Sequence, residues 1–318
     1  MASFFRKWTL SSYYAISVLL VVLVIPVFIV SGAGEGVDQG FEKSGLPFNT
    51  DLVTWVRVVA AHPPAWLGAA LAILQVASPD IAVFIVMAIG FGAGPLRDLF
   101  GRFRFWSAEV PAGRGILIWV LCVAVFAGMS VSTGVLSERI LVVDSFEWAP
   151  KILYGGLPLG FLIAMFLDGG ALFEENGWRG FALPRLLARY KPVGASVALG
   201  VLWAIWHVPV KFDLALEYGA PRFAGMFAVL ILKFVCLSII ITYFWSLTGR
   251  STIIAIAMHG LSNDSMRLGG LATAENFSDQ LGYEINLVIP LAAVSAILIL
   301  ATRGSLGVTA QGEHLART

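Results

Sequence analysis

Three short patterns place chemistry-bearing side chains one helical turn apart. Glu174-Glu175-Asn176-Gly177-Trp178-Arg179 holds two carboxylates and a guanidinium. Trp203-Ala204-Ile205-Trp206-His207 ends on an imidazole, and His259-Gly260-Leu261-Ser262-Asn263 joins an imidazole to a carboxamide. Residues four apart share one face of a helix. Glu175 can therefore pair with Arg179, while Trp203 faces the same way as His207, and His259 the same way as Asn263. Glu174 is turned about 100° from Glu175 and does not share that arginine. A carboxylate left unpaired away from water suits general acid or base work.

One carboxylate and two imidazoles can activate water. Glu174 would take the proton, with His207 orienting the water or sharing the proton. His259 and Asn263 can donate hydrogen bonds to a developing oxyanion, often the largest catalytic contribution. Peptide hydrolysis needs both parts. The same groups, Glu174, His207 and His259, could instead hold a divalent ion such as zinc with a bound water, although the spacing matches no soluble zinc motif. Each pattern also has a purely structural reading: a Glu–Arg clasp, a packed histidine, or a hydrogen-bonded helix end.

The elements that carry these residues are apolar. Of 318 residues, 58% are hydrophobic and 13% charged, against roughly a quarter charged in a soluble domain. That excludes an ordinary soluble protein and a disordered chain. A net charge of +1 supplies no field for nucleic acid. Cys122 and Cys236 lie in apolar runs and read as buried free thiols. The expected fold is an all-α polytopic membrane protein with about eight transmembrane helices and a polar cavity inside the bundle.

About 20 apolar residues cross a bilayer as a helix. The runs are 12–31, one crossing within 66–95, then 114–136, 152–188, 193–210, 223–247, 252–268 and 285–302. Run 12–31 follows Arg6 and Lys7 and is longer than the apolar part of a secretion signal, so it reads as a retained anchor. Residues 32–65 look polar and turn-rich. Ser78-Pro79-Asp80 interrupts the second run, because proline kinks or restarts a helix. Arg97 to Arg104 reads as a basic loop, and Glu138, Asp144 and Glu147 as an acidic one. Twelve Lys and Arg residues fall on the side of the termini and seven opposite, counting Lys151 and Arg267 opposite and Arg317 with the termini. That bias predicts both termini in the cytoplasm. The chain divides into N-terminal spans (1–113), a core (114–268) and a last span with its tail (269–318).

An ionisable residue inside a span costs about 2.5–3.5 kcal/mol on insertion scales and marks a functional candidate by default. Counted from the basic flanks at 1.5 Å per residue, Glu174 lies roughly 22 Å deep, His207 roughly 24 Å and His259 roughly 14 Å. All three fit within a hydrocarbon core of about 30 Å, so one shared site is permitted. Lys233, Asp80 and Asp168 are expected to serve interior pairing or a helix break. His62 and His314 are expected in solvent.

The order E-E-x-x-x-R, then an aromatic ending in x-x-x-H, then H-x-x-x-N, each on its own span, resembles the CPBP family. This is the CAAX protease and bacteriocin-processing family, also called Abi. The resemblance covers roughly 114–268. It implies an intramembrane endopeptidase acting on a peptide or lipidated protein at the cell membrane, with Glu174, Glu175, Arg179, His207, His259 and Asn263 at its site. It leaves glutamate-dependent and metal-dependent chemistry both open, with a divalent metal such as zinc or none. The second motif departs from the usual Phe: Trp203 keeps the aromatic wall and adds an indole N–H. Two other readings compete. One is a non-proteolytic immunity or scaffold protein that keeps the cluster for fold or binding. The other is a transporter, for which the halves show no echo.

Overall fold

The computed structural model describes residues 1–46, 48–144, 146–147, 157–264, 271–272 and 276–308. Lys151, Arg267, His314 and Arg317, together with 152–156 and 265–268 of two apolar runs, lie outside them.

The molecule is an all-α bundle. Helix α1 (Ala2–Lys7) leads into α2 (Thr9–Val30), which matches the first run. Residues 32–65, expected as turns, instead form α3 (Ala33–Ser44) and α4 (Leu52–Ala61). Gly32 and Gly45, at φ 68° and 63°, bound α3 with left-handed residues that favour glycine. Helices α5 (Trp66–Val76) and α6 (Ser78–Gly90) meet at a 55° bend, as the proline predicts. Pro79 sits in the first turn of α6, where its missing N–H leaves no gap. The basic stretch begins as α7 (Ala93–Phe100). Then come α8 (Ala112–Val135), with a π turn Leu136–Ile140 that takes in Glu138, and α9 (Leu157–Leu167).

The fourth run is not one helix. It breaks at Asp168, whose backbone is extended and whose carboxylate caps α10 (Gly169–Glu175). A π turn (Asn176–Ala182) and α11 (Leu183–Leu187) complete it. Helices α12 (Pro192–Val210), α13 (Phe212–Tyr218) and α14 (Ala220–Leu247) follow, then α15 (Thr252–Asp264) and α16 (Phe277–Ala301). Helix α15 is described through Asp264, 13 residues from its start. Among the described residues, five helices, or six counting the α5–α6 pair as one, are long and apolar enough to cross a membrane. The polytopic reading holds, while the fourth of the eight expected runs is a broken segment. Phe146–Glu147 and Leu271–Ala272 add one two-residue antiparallel ladder.

A glycine lets α15 pack closely. The helix lies against α9 at Gly260, where a Cβ would stand 1.9 Å from the Ala164 carbonyl oxygen. Only glycine allows that approach. Helix α12 packs along α14. Trp178, Trp203, Trp206, Trp245, Phe126 and Phe181 fill the fully buried centre. Cys122 and Cys236 are buried free thiols. Lys233 finds its interior partner, with Nζ 2.8 Å from Glu284 Oε2. At the surface, His62 Nδ1 lies 2.9 Å from Lys43 Nζ.

Candidate functional site

Glu174 and Glu175 end α10, both buried. Their one-residue rotation gives them different partners. Arg179 Nη1 donates to Glu175 Oε1 at 2.6 Å, as the spacing predicts. The same oxygen takes His259 Nδ1 at 2.9 Å, so the carboxylate also sets which way the imidazole faces. The Arg179 guanidinium stacks over the Trp203 ring at 4.4 Å.

Glu174 has no ion pair among the described residues. Its Oε2 accepts two neutral donors instead, the indole N–H groups of Trp178 and Trp203, each at 3.0 Å. The extra N–H at position 203 is therefore spent on the glutamate. Two donors on Oε2 leave Oε1 as the oxygen open to other work.

Oε1 borders the methyl-sized recess that the missing side chain of Gly170 leaves. A Cβ built there would lie 3.2 Å from Glu174 Oε1, 3.4 Å from Asp168 Oδ1 and 3.5 Å from Asn263 Nδ2. Asn263 comes from α15, and its Nδ2 also donates to Asp168 Oδ1 at 3.1 Å. His259, one turn earlier, stands edge-on to Trp203 with ring centres 4.7 Å apart.

His207 is placed differently. Its Nδ1 lies 2.9 Å from the Trp203 carbonyl oxygen. A carbonyl only accepts, so this nitrogen carries the proton and Nε2 is left as the acceptor. The ring stacks on Phe234 at 4.3 Å and meets the edge of Trp206. No hydrogen bond joins His207 to Glu174. Trp203 touches both, by its indole on one side and its carbonyl on the other.

Several residues at the site carry no motif. Asp80, from α6, accepts Asn176 Nδ2 at 2.6 Å and the Gly177 N–H at 2.8 Å. A π turn frees a backbone N–H, and Asp80 satisfies it directly after the two glutamates. Tyr13, from α2, packs edge-on to Trp178 with its hydroxyl buried and unpartnered among the described residues. Asp168 did have a sequence signal: an Asp before Gly-Gly inside an apolar run reads as a helix cap.

Among the described residues no group of three or more His, Cys, Asp and Glu side chains could hold a metal ion. Trp203 lies between His207 and Glu174, and the expected donors Glu174, His207 and His259 do not converge. The residues present do not fit a zinc site.

Residues 155–264 match the family model of the type II CAAX prenyl endopeptidase Rce1-like proteins. That stretch holds all three motifs. Over that stretch the chain is similar to the CAAX prenyl endopeptidases. A CAAX prenyl protease 2 from Methanococcus maripaludis is 32% identical over 122 residues, covering 35% of this chain and 41% of that relative. The likeness to this relative thus spans about two fifths of its length. Asp80 and Tyr13, which contact the motif residues, lie outside the matched stretch.

Proposed function

We propose that the chain is a CAAX-type intramembrane endopeptidase that cleaves a peptide bond in a lipidated protein, from a multi-pass position in the cell membrane with both termini cytoplasmic. The observation that carries this reading is the asymmetry of Glu174: Oε2 is held by two indoles and Oε1 faces a recess shared with Asn263. The name of the archaeal relative supports a prenylated substrate.

A water seated over Gly170 lies within reach of Oε1. Glu174 takes a proton from it as the oxygen attacks the scissile carbonyl carbon. The carbonyl oxygen gains negative charge, and the Asn263 N–H stabilises it together with His259, which donates from Nε2 in its doubly protonated form while Nδ1 stays on Glu175. Glu174 then passes its proton to the departing amine as the C–N bond breaks. Water supplies the hydroxyl of the new acid and, through Glu174, the proton of the new amine. Glu175 and Arg179 act one step back, fixing His259 and each other. His207, with Nε2 as an acceptor, orients water or substrate from the α12 side.

The reading is tested by comparing peptide termini in membranes carrying the wild type with those carrying Glu174→Ala at equal abundance. Termini released only by the wild type support it. Identical termini, with the variant still performing the role that deletion of the protein removes, replace it with a non-proteolytic immunity or scaffold function.

A further inference from the structure

Asp168 makes more bonds than a helix cap needs. It is fully buried at the break between α9 and α10. Its Oδ1 accepts the Ala171 N–H at 2.7 Å, which is the cap, and Asn263 Nδ2 at 3.1 Å, which is not. Its Oδ2 accepts the Thr50 hydroxyl at 2.5 Å, and the Gly169 N–H meets the Thr50 carbonyl at 3.0 Å. Three segments distant in sequence thus meet on one carboxylate. Serine or threonine would cap as well, so the cap alone does not explain an aspartate.

We propose that Asp168 is a positioning residue that acts through Asn263. A carboxamide has a donor end and an acceptor end of nearly the same shape. Asp168 Oδ1 only accepts, and it therefore selects the N–H end of Asn263 at the recess over Gly170. Without it the amide can turn, and an oxygen would then face the developing oxyanion and repel it. Thr50 holds the other carboxylate oxygen, so the aspartate does not swing away. This inference rests on the endopeptidase reading.

The test uses the purified full chain and a farnesylated peptide with a CAAX ending, with single-turnover rates alongside kcat and KM. Asp168→Ser keeps a cap but is one bond too short to reach Asn263. It is expected to lower kcat about 10–100-fold, the scale of a misplaced oxyanion donor, with KM unchanged. Asp168→Asn keeps an oxygen at the Oδ1 position and is expected to restore the rate. In an Asn263→Ala background, Asp168→Ser is expected to have no further effect, because residues acting through one contact are not additive. If the serine variant does not accumulate, Asp168→Thr, a capping residue of the same reach, takes its place. A wild-type kcat in the serine variant, or the same fold-loss with and without Asn263, overturns the proposal. Glu174→Gln in the same assay separates the two readings. If it is inactive while Asp168→Ser is unaffected, only this inference fails; if it is active, both fail.

Discussion

Trp203 Nε1 and Glu174 Oε2, 29 residues apart in sequence and on different helices, are joined by a 3.0 Å hydrogen bond. Trp178 donates to the same oxygen from one turn along the Glu174 segment. The buried carboxylate is therefore oriented by two neutral donors rather than neutralised by a cation. Arg179 is close, but it is committed to Glu175. An orientation without charge pairing leaves Glu174 free to gain and lose a proton.

Trp203→Phe removes one donor and keeps the ring. A hydrogen bond to a charged group is worth about 1.5–3 kcal/mol, so kcat should fall about tenfold or more with KM nearly unchanged. Rates of peptide cleavage by the purified variant check this.

Gly170→Ala fills the recess. The added methyl meets nothing nearer than Glu174 Oε1 at 3.2 Å, and alanine favours a helix over glycine by about 0.5–1 kcal/mol. Thermal unfolding in detergent should change little, because the tight contact at Oε1 offsets the gain in helix preference. Cleavage should fall about 100-fold, the cost of displacing a reacting group. An active variant would put the attacking water elsewhere.

Glu175 and Arg179 form a fully buried pair. Removing one partner of such a pair costs about 3–5 kcal/mol, because the other charge is left alone. Glu175→Gln and Arg179→Met should each destabilise by that amount. The double variant should lose less than the two single losses added. Denaturant unfolding of the four proteins measures the coupling.

Asp80→Ala leaves the Gly177 N–H and Asn176 Nδ2 without their acceptor. Each orphaned buried donor costs about 1–3 kcal/mol, so the variant should unfold earlier than the wild type. Unfolding at the wild-type midpoint would show that another group satisfies the π turn.

The paired spacings 175/179, 203/207 and 259/263 were legible because each pair lies on one helix and repeats with the turn. Partners brought from afar were not. Asp80 is 96 residues from Asn176, and Thr50 is 118 from Asp168, and no periodicity connects them. Apolar runs hid the break at Asp168 because hydropathy does not register a helix that stops and restarts within one run. The role of Gly170 was invisible for another reason: what matters there is the space a side chain would take.

The most direct measurement is cleavage of a farnesylated CAAX peptide by the purified wild type and by Glu174→Gln, matched in amount and in unfolding midpoint. The glutamine can still accept the two indole N–H groups but cannot take a proton from water. The wild type should release the C-terminal peptide and the variant should release none above background. Equal release by both would contradict Glu174 as the base and, with it, the assignment of this site.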